Sequence, residues 1–194
     1  GWRIAINHAP QLDTTPVGAT AGYPLGIGFA LVGGYYVQGQ MLTPVVVALA
    51  AVFVVVLSGI KAIDDTKDYE YDRSIDKRTL AVALGRKRAR TAAYALMTLG
   101  MLAVVVLAMT LPAIPPSAGL ASVAFGAVAL VARRAEPELA TMLLVRGAYV
   151  FLATTSSGIL PGITTNPWLA LALSVVAAAL VSYLLYLAVV RYIE

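Results

Sequence analysis

Between Asp64 and Leu80 the sequence DDTKDYEYDRSIDKRTL holds six carboxylates and four cations, in a chain only 12% charged. If residues 61–78 continue the preceding helix at about 100° per residue, Asp65, Asp68, Asp72 and Asp76 fall at steps of three, four and four. They then share one face with Lys61. A one-sided stripe of acids repels itself unless cations sit among them. Hard oxygens at this spacing suit Mg²⁺, commonly held by one or two carboxylates together with substrate phosphates. Lys67, Arg73, Lys77 and Arg78 offer the complementary chemistry, direct contact with phosphate oxygens. Acids for a metal and bases for phosphate, beside an apolar cavity, are what a lipid-linked diphosphate requires. The plainer alternative is a solvated amphipathic loop with compensating charges one turn apart.

The elements that must position this stretch are apolar. The 194-residue chain is 60% hydrophobic with a mean hydropathy of +0.83, whereas a soluble domain carries about 25% charged residues. Such a chain belongs in a bilayer. The absence of cysteine excludes disulfides and thiolate metal sites. The pI near 9.4 reads as basic residues held at one membrane face, not as nucleic-acid binding. The opening GWRIAINHAPQLDTTP lacks the basic and apolar regions of a signal peptide.

Six segments are candidates for the roughly 20-residue apolar span a membrane helix needs: 17–37, 42–62, 89–111, 117–133, which is short, 138–160 and 168–191. The expected fold is an all-α, polytopic transmembrane helix bundle, residues 1–194 forming a single membrane domain. The segment Gly22–Gly28, GYPLGIG, is expected to kink or break the first span. The connections at 37–42, 112–117 and 160–168 carry no charge. Arg3 and Asp13, the block 61–90, the group Arg133, Arg134, Glu136 and Glu138, and Arg191 and Glu194 all fall on one side. The excess of basic residues marks that side as cytoplasmic. Tyr35, Tyr36 and Trp168 are expected near the opposite interface. Arg146 alone lies inside a span, and a charge there points to function or to snorkelling. His8 reads as a capping or surface residue; Tyr23 and Tyr149 read as packing residues that could line a prenyl cavity.

The segment DDTKDYEYDRSIDKRTLAVALG, Asp64–Gly85, resembles the second aspartate-rich motif of the UbiA superfamily of intramembrane prenyltransferases. The match rests on Asp68, Asp72, the run Lys77-Arg78-Thr79-Leu80, and Gly85. Asp65 matches a further acid of the archaeal lipid-forming branch. DRSIDKRTLAVALG together with GGYYVQG, Gly33–Gly39, is similar to the menaquinone branch, which prenylates 1,4-dihydroxy-2-naphthoate. That branch has Asn where Asp64 and Asp65 stand and Gly where Asp76 stands. The family's first motif, Asn-Asp-x-x-Asp-x-x-x-Asp, has no counterpart here, so the chain looks like the C-terminal half of such an enzyme. A missing N-terminal segment or partner chain would supply the other half.

The resemblance implies transfer of a prenyl group from a polyprenyl diphosphate to a hydrophobic acceptor, with Mg²⁺ as cofactor and the lipid bilayer as setting. It implies Asp68 and Asp72 as catalytic metal ligands, with Asp65 as helper. Lys67, Lys77 and Arg78 become the residues for the diphosphate, and Arg86, Lys87, Arg88 and Arg90 read as membrane anchors. A second class, the CDP-alcohol phosphotransferases, needs Asp-x-x-Asp-Gly-x-x-Ala-Arg, but Tyr69 follows Asp68 here. A third reading is a non-catalytic lipid- or pigment-binding membrane subunit derived from the prenyltransferase fold.

Overall fold

A computed structural model describes residues 15–38 and 41–156. It contains α1 (Pro16–Val37), α2 (Pro44–Asp64), α3 (Tyr69–Ser74), α4 (Leu80–Leu84), α5 (Arg86–Thr110), α6 (Pro116–Ala132) and α7 (Pro137–Ser156), and no strand among the described residues. The all-α bundle expected from the apolar runs is what forms. Four helices, α1, α2, α5 and α7, are long and apolar enough to cross a membrane. The fifth, α6, has 17 residues and at about 1.5 Å per residue is about 26 Å long, short of a typical hydrocarbon core of about 30 Å. The candidate span 168–191, with Trp168, lies outside the described residues, as does His8.

Proline opens α1, α2, α6 and α7. Its ring fixes a helical φ, and its missing N–H lies among the donors the first turn leaves unpaired anyway. At α1, Thr15 completes the start by accepting the Gly18 amide at 3.1 Å. The expected break at Gly22–Gly28 does not occur, because α1 runs through Pro24 as one helix. Pro24 is buried, and a proline is tolerated inside a membrane helix when neighbouring protein surrounds it.

α2 is the hub. It packs on α1, α5 and α7, while α5 packs on α6 and α6 on α7. Thus α2, α5, α6 and α7 close into a ring of four, with α1 added against α2. At the α2–α5 seam a Cβ on Gly59 would lie 2.7 Å from the Ala93 carbonyl oxygen, so only glycine permits this approach. Small residues let membrane helices come this close, where lipid supplies no hydrophobic drive between them. Phe125 of α6 stacks on Phe151 of α7 at 5.3 Å, and Phe53 of α2 meets Phe151 edge-on at 6.2 Å.

The order of helices brings the start of α1, the end of α2, residues 65–85 and residues 133–136 to one end. Two sets of contacts fix this: Thr20 to Asp65 and Leu80, and Arg90 to the carbonyls of Ala132, Arg133 and Ala135. Tyr35 and Tyr36 sit at the other end of α1. Arg146 lies on the exposed flank of α7, about 14 Å along its axis from Pro137.

The candidate site at the charged end

The stretch expected to continue α2 as one helix is instead broken twice. The first break follows Asp64. There the Thr66 hydroxyl donates to the Ile63 carbonyl at 2.6 Å, and the Thr66 and Lys67 amides bond three residues back, at 3.0 and 3.1 Å. Hydroxyl competition for backbone carbonyls of this kind ends helices. The second break follows Ser74. Asp76 takes φ +54, the Lys77 amide bonds the Asp72 carbonyl at 2.9 Å, and the Asp76 amide reaches the Arg73 carbonyl at 3.4 Å. This pair of bonds is a Schellman closure, with aspartate at the left-handed position glycine normally takes. Asp65, Asp68, Asp72 and Asp76 therefore do not form the single helical stripe that spacing predicted. Asp65 and Asp72 are buried, and Asp68 and Asp76 are exposed.

The end of α2 is a knot of charges. Lys61 Nζ lies 2.6 Å from Asp65 Oδ1 and 3.1 Å from Asp64 Oδ2. Lys67 reaches Asp64 Oδ1 at 2.5 Å. The Thr20 hydroxyl, from α1, donates to Asp65 Oδ2 at 3.2 Å and accepts the Leu80 amide at 3.1 Å. Both oxygens of Asp65 and both of Asp64 thus have partners. Burial pushes the Asp65 carboxyl above its ordinary value, against the pull of Lys61 and Thr20. The hydrogen bond to Asp64 holds the Lys67 ammonium above its ordinary value.

The turn that follows differs. Asp72 is 2% exposed. Its Oδ1 accepts from Lys77 at 3.2 Å, while its Oδ2 is buried without a hydrogen-bond partner among the described residues. A bare buried carboxylate oxygen carries a full desolvation cost and is a fitting donor for a hard cation. Asp68 stands at the start of α3, one turn before Asp72, exposed and outside the ion pairs of the described residues. Arg78 is exposed. The buried Thr79 hydroxyl accepts the Val82 amide at 3.3 Å and starts α4. Gly85, at φ +79, turns the chain from α4 into α5. Arg86 pairs with Glu70 at 3.4 Å and lies over the Tyr69 ring, so it clamps α3 to α5. Among the described residues no three acidic, histidine or cysteine side chains gather at one point. Asp65, Asp68 and Asp72 are brought to one end but not to one cluster.

An apolar cavity of about 230 Å³ opens between α1, α2 and α7. Tyr23, Ile27, Leu57, Ile60, Tyr149 and Leu152 are among its lining, and Lys61 and Asp64 sit at its charged end. Tyr23 and Tyr149 thus line a cavity, one of their two expected roles. Lys61 and Thr20 are the members that spacing did not nominate. Lys61 had a signal, since it shares a helical face with Asp64 and Asp65. Thr20 had none, because 45 residues separate it from Asp65.

The model of a protein family described as the UbiA prenyltransferase family matches residues 12–144. No curated protein and no solved structure gives a match.

Proposed function

Because the chain belongs to the UbiA prenyltransferase family, we propose that it moves a prenyl group from a polyprenyl diphosphate to a hydrophobic acceptor within the membrane, residues 61–79 forming the diphosphate end of the site. The observation that carries this reading is the apolar cavity with Lys61 and Asp64 at one end, at the same end of the bundle as a turn in which Asp72 keeps one buried oxygen bare. An apolar chain meets apolar walls there, and its charged head meets charge at the bilayer surface.

Hard carboxylate oxygens suit Mg²⁺. Asp68 and Asp72 would hold it, since Asp72 Oδ2 is bare and Asp68 is outside the ion pairs. When bound, Mg²⁺ supplies positive charge to the leaving diphosphate. Asp65, held on both oxygens, supports the site by fixing Lys61 at the cavity mouth. Lys67, Lys77 and Arg78 bind phosphate oxygens. Reaction breaks the bond between the first prenyl carbon and the diphosphate oxygen; the acceptor forms the new bond to that carbon and releases a proton. The cavity walls exclude water, which would otherwise capture the allylic cation. The basic excess at this end supports a cytoplasmic orientation for it. The acceptor is of the 1,4-dihydroxy-2-naphthoate or archaeal lipid-precursor kind, as the resemblance of Asp64–Gly85 implies.

The test is product analysis by mass spectrometry. Membranes carrying the full chain are supplied with geranylgeranyl diphosphate, Mg²⁺ and both acceptor classes. A prenylated acceptor is expected, and is lost when Mg²⁺ is chelated or when Asp68→Ala and Asp72→Ala are combined. Absence of product with every acceptor, while the chain still retains prenyl lipid, would establish the binding-subunit reading instead.

A further inference from the structure

A second feature of the charged end lies outside this cavity. A groove of about 430 Å³ is lined by Lys87, Arg90, Thr91, Tyr94 and Thr98 of α5 and by Arg133 at the end of α6. Among the described residues, three cations and no carboxylate line it. Arg90 builds its wall: one guanidinium nitrogen reaches the carbonyls of Ala132, Arg133 and Ala135 at 3.3, 2.8 and 2.7 Å, which fixes the end of α6 against α5. Lys87 and Arg133 are exposed and form no ion pair among the described residues. The neighbouring recess shares Lys87 and Arg90 and adds Lys67 and Arg86, but Glu136 and Glu138 offset part of that charge, whereas no described carboxylate offsets the cations of the α5–α6 groove.

The groove is also continuous with apolar surface. At about 100° per residue, Thr91, Thr98, Leu102 and Met109 lie on one stripe of α5. The last two are 57% and 82% exposed. The stripe starts at the cations and descends along a membrane-spanning helix, so a molecule seated on it meets positive charge first and apolar side chains below.

We propose that this groove binds the phosphate headgroup of an anionic membrane lipid, with the lipid's chains lying against the α5 stripe. Basic recesses at the ends of transmembrane helices suit such headgroups, and each surface cation adds a modest increment. Two hydroxyls, Thr91 and Thr98, stand on the same wall for the headgroup's other polar atoms. The Thr91 hydroxyl donates back to the Lys87 carbonyl and that of Thr98 to the Tyr94 carbonyl, leaving their oxygens free to accept.

The full chain, purified in non-ionic detergent, is offered equal phosphatidylglycerol and phosphatidylcholine, and retained lipid is counted by native mass spectrometry. Phosphatidylglycerol is expected to be retained on the order of tenfold over phosphatidylcholine. Lys87→Gln with Arg133→Gln should remove most of that preference, and Lys87→Gln alone should lower it about threefold, half of a roughly tenfold effect on a logarithmic scale. Arg88→Gln with Arg134→Gln, equal in charge but off the groove, should leave it intact. Equal losses in the two double variants would mean diffuse attraction to a basic surface and overturn the proposal. So would absence of any preference, or displacement of the lipid by millimolar inorganic phosphate, which would make this a free-phosphate site.

Discussion

Asp65 and Asp72 are both buried, lie seven residues apart, and belong to adjoining regions of one charged segment. Their surroundings differ in one respect. Asp65 sits in the knot at the end of α2 with Lys61 on one oxygen and Thr20 on the other. Asp72 sits in the turn around α3 with Lys77 on one oxygen and nothing on the other. Burial alone therefore does not separate the two acids; the count of satisfied oxygens does. In the knot the carboxylates hold helices and a lysine in place. In the turn a carboxylate is kept out of water with valence to spare.

The sharpest way to break this comparison is to neutralise each acid in turn. Asp72→Asn should lower prenyl transfer on the order of a hundredfold or more, the range for removing one strong charge-stabilising contact. Asp65→Asn, which keeps hydrogen-bonding capacity, should lower it about tenfold or less, as supporting residues around metal sites do. Mg²⁺ titrations of both variants are the measurement. An Asp65→Asn enzyme with the same rise in Mg²⁺ requirement as Asp72→Asn would place both acids on the metal.

Next comes the knot's tie to α1 and α4. Thr20→Val leaves the buried Asp65 oxygen and the Leu80 amide without their partner, at a cost of about 1–3 kcal/mol. Thermal unfolding in detergent should register it, and Thr20→Ser should restore the wild-type midpoint. If Val is tolerated as well as Ser, the knot does not depend on α1.

The turn offers a change of opposite sign. Asp76 adopts a left-handed φ of +54, a conformation glycine enters without steric penalty. Asp76→Gly should stabilise the fold by about 0.5–1 kcal/mol, relief of local strain exceeding the extra freedom glycine gives the unfolded chain. A fall in stability would show that the Asp76 side chain holds the turn.

The smallest effect concerns pH. The Asp65 carboxyl lies above its ordinary value of 3.8 because of burial, so the folded protein binds that proton more tightly than the unfolded chain. Its contribution to stability is fully present below 3.8 and is lost as pH rises through the raised folded value. Melting curves of wild type and Asp65→Asn from about pH 4 to about pH 7 should diverge with rising pH, the variant gaining relative to wild type. Parallel curves would mean that Lys61 and Thr20 offset burial fully.

Much of the molecule was legible in sequence. The apolar runs marked five helices that the structure contains, and the charge-free connections showed that residues 61–90 and 133–138 share an end. Of the kink or break expected at Gly22–Gly28, the break does not occur, because a local rule, proline against helix, yields when the surrounding protein buries it. The single Asp stripe was misread for a related reason. Projection at 100° per residue assumes an unbroken helix, and the Thr66 hydroxyl and the left-handed Asp76 break it. Asp68 and Asp72 were legible as acids one turn apart; that Asp72 keeps a bare oxygen, while Asp65 does not, was not.

What sequence alone determined is what depends on each segment's own transfer from water: a helical membrane bundle, with its charge gathered at one end. Only the tertiary structure decided which carboxylates are already satisfied. Thr20, Asp65 and Leu80 meet because α1 packs on α2 with α4 against them, and the cavity exists because α7 closes the other side. Hydrogen-bond satisfaction of a buried group depends on partners from anywhere in the chain, and no local pattern carries it.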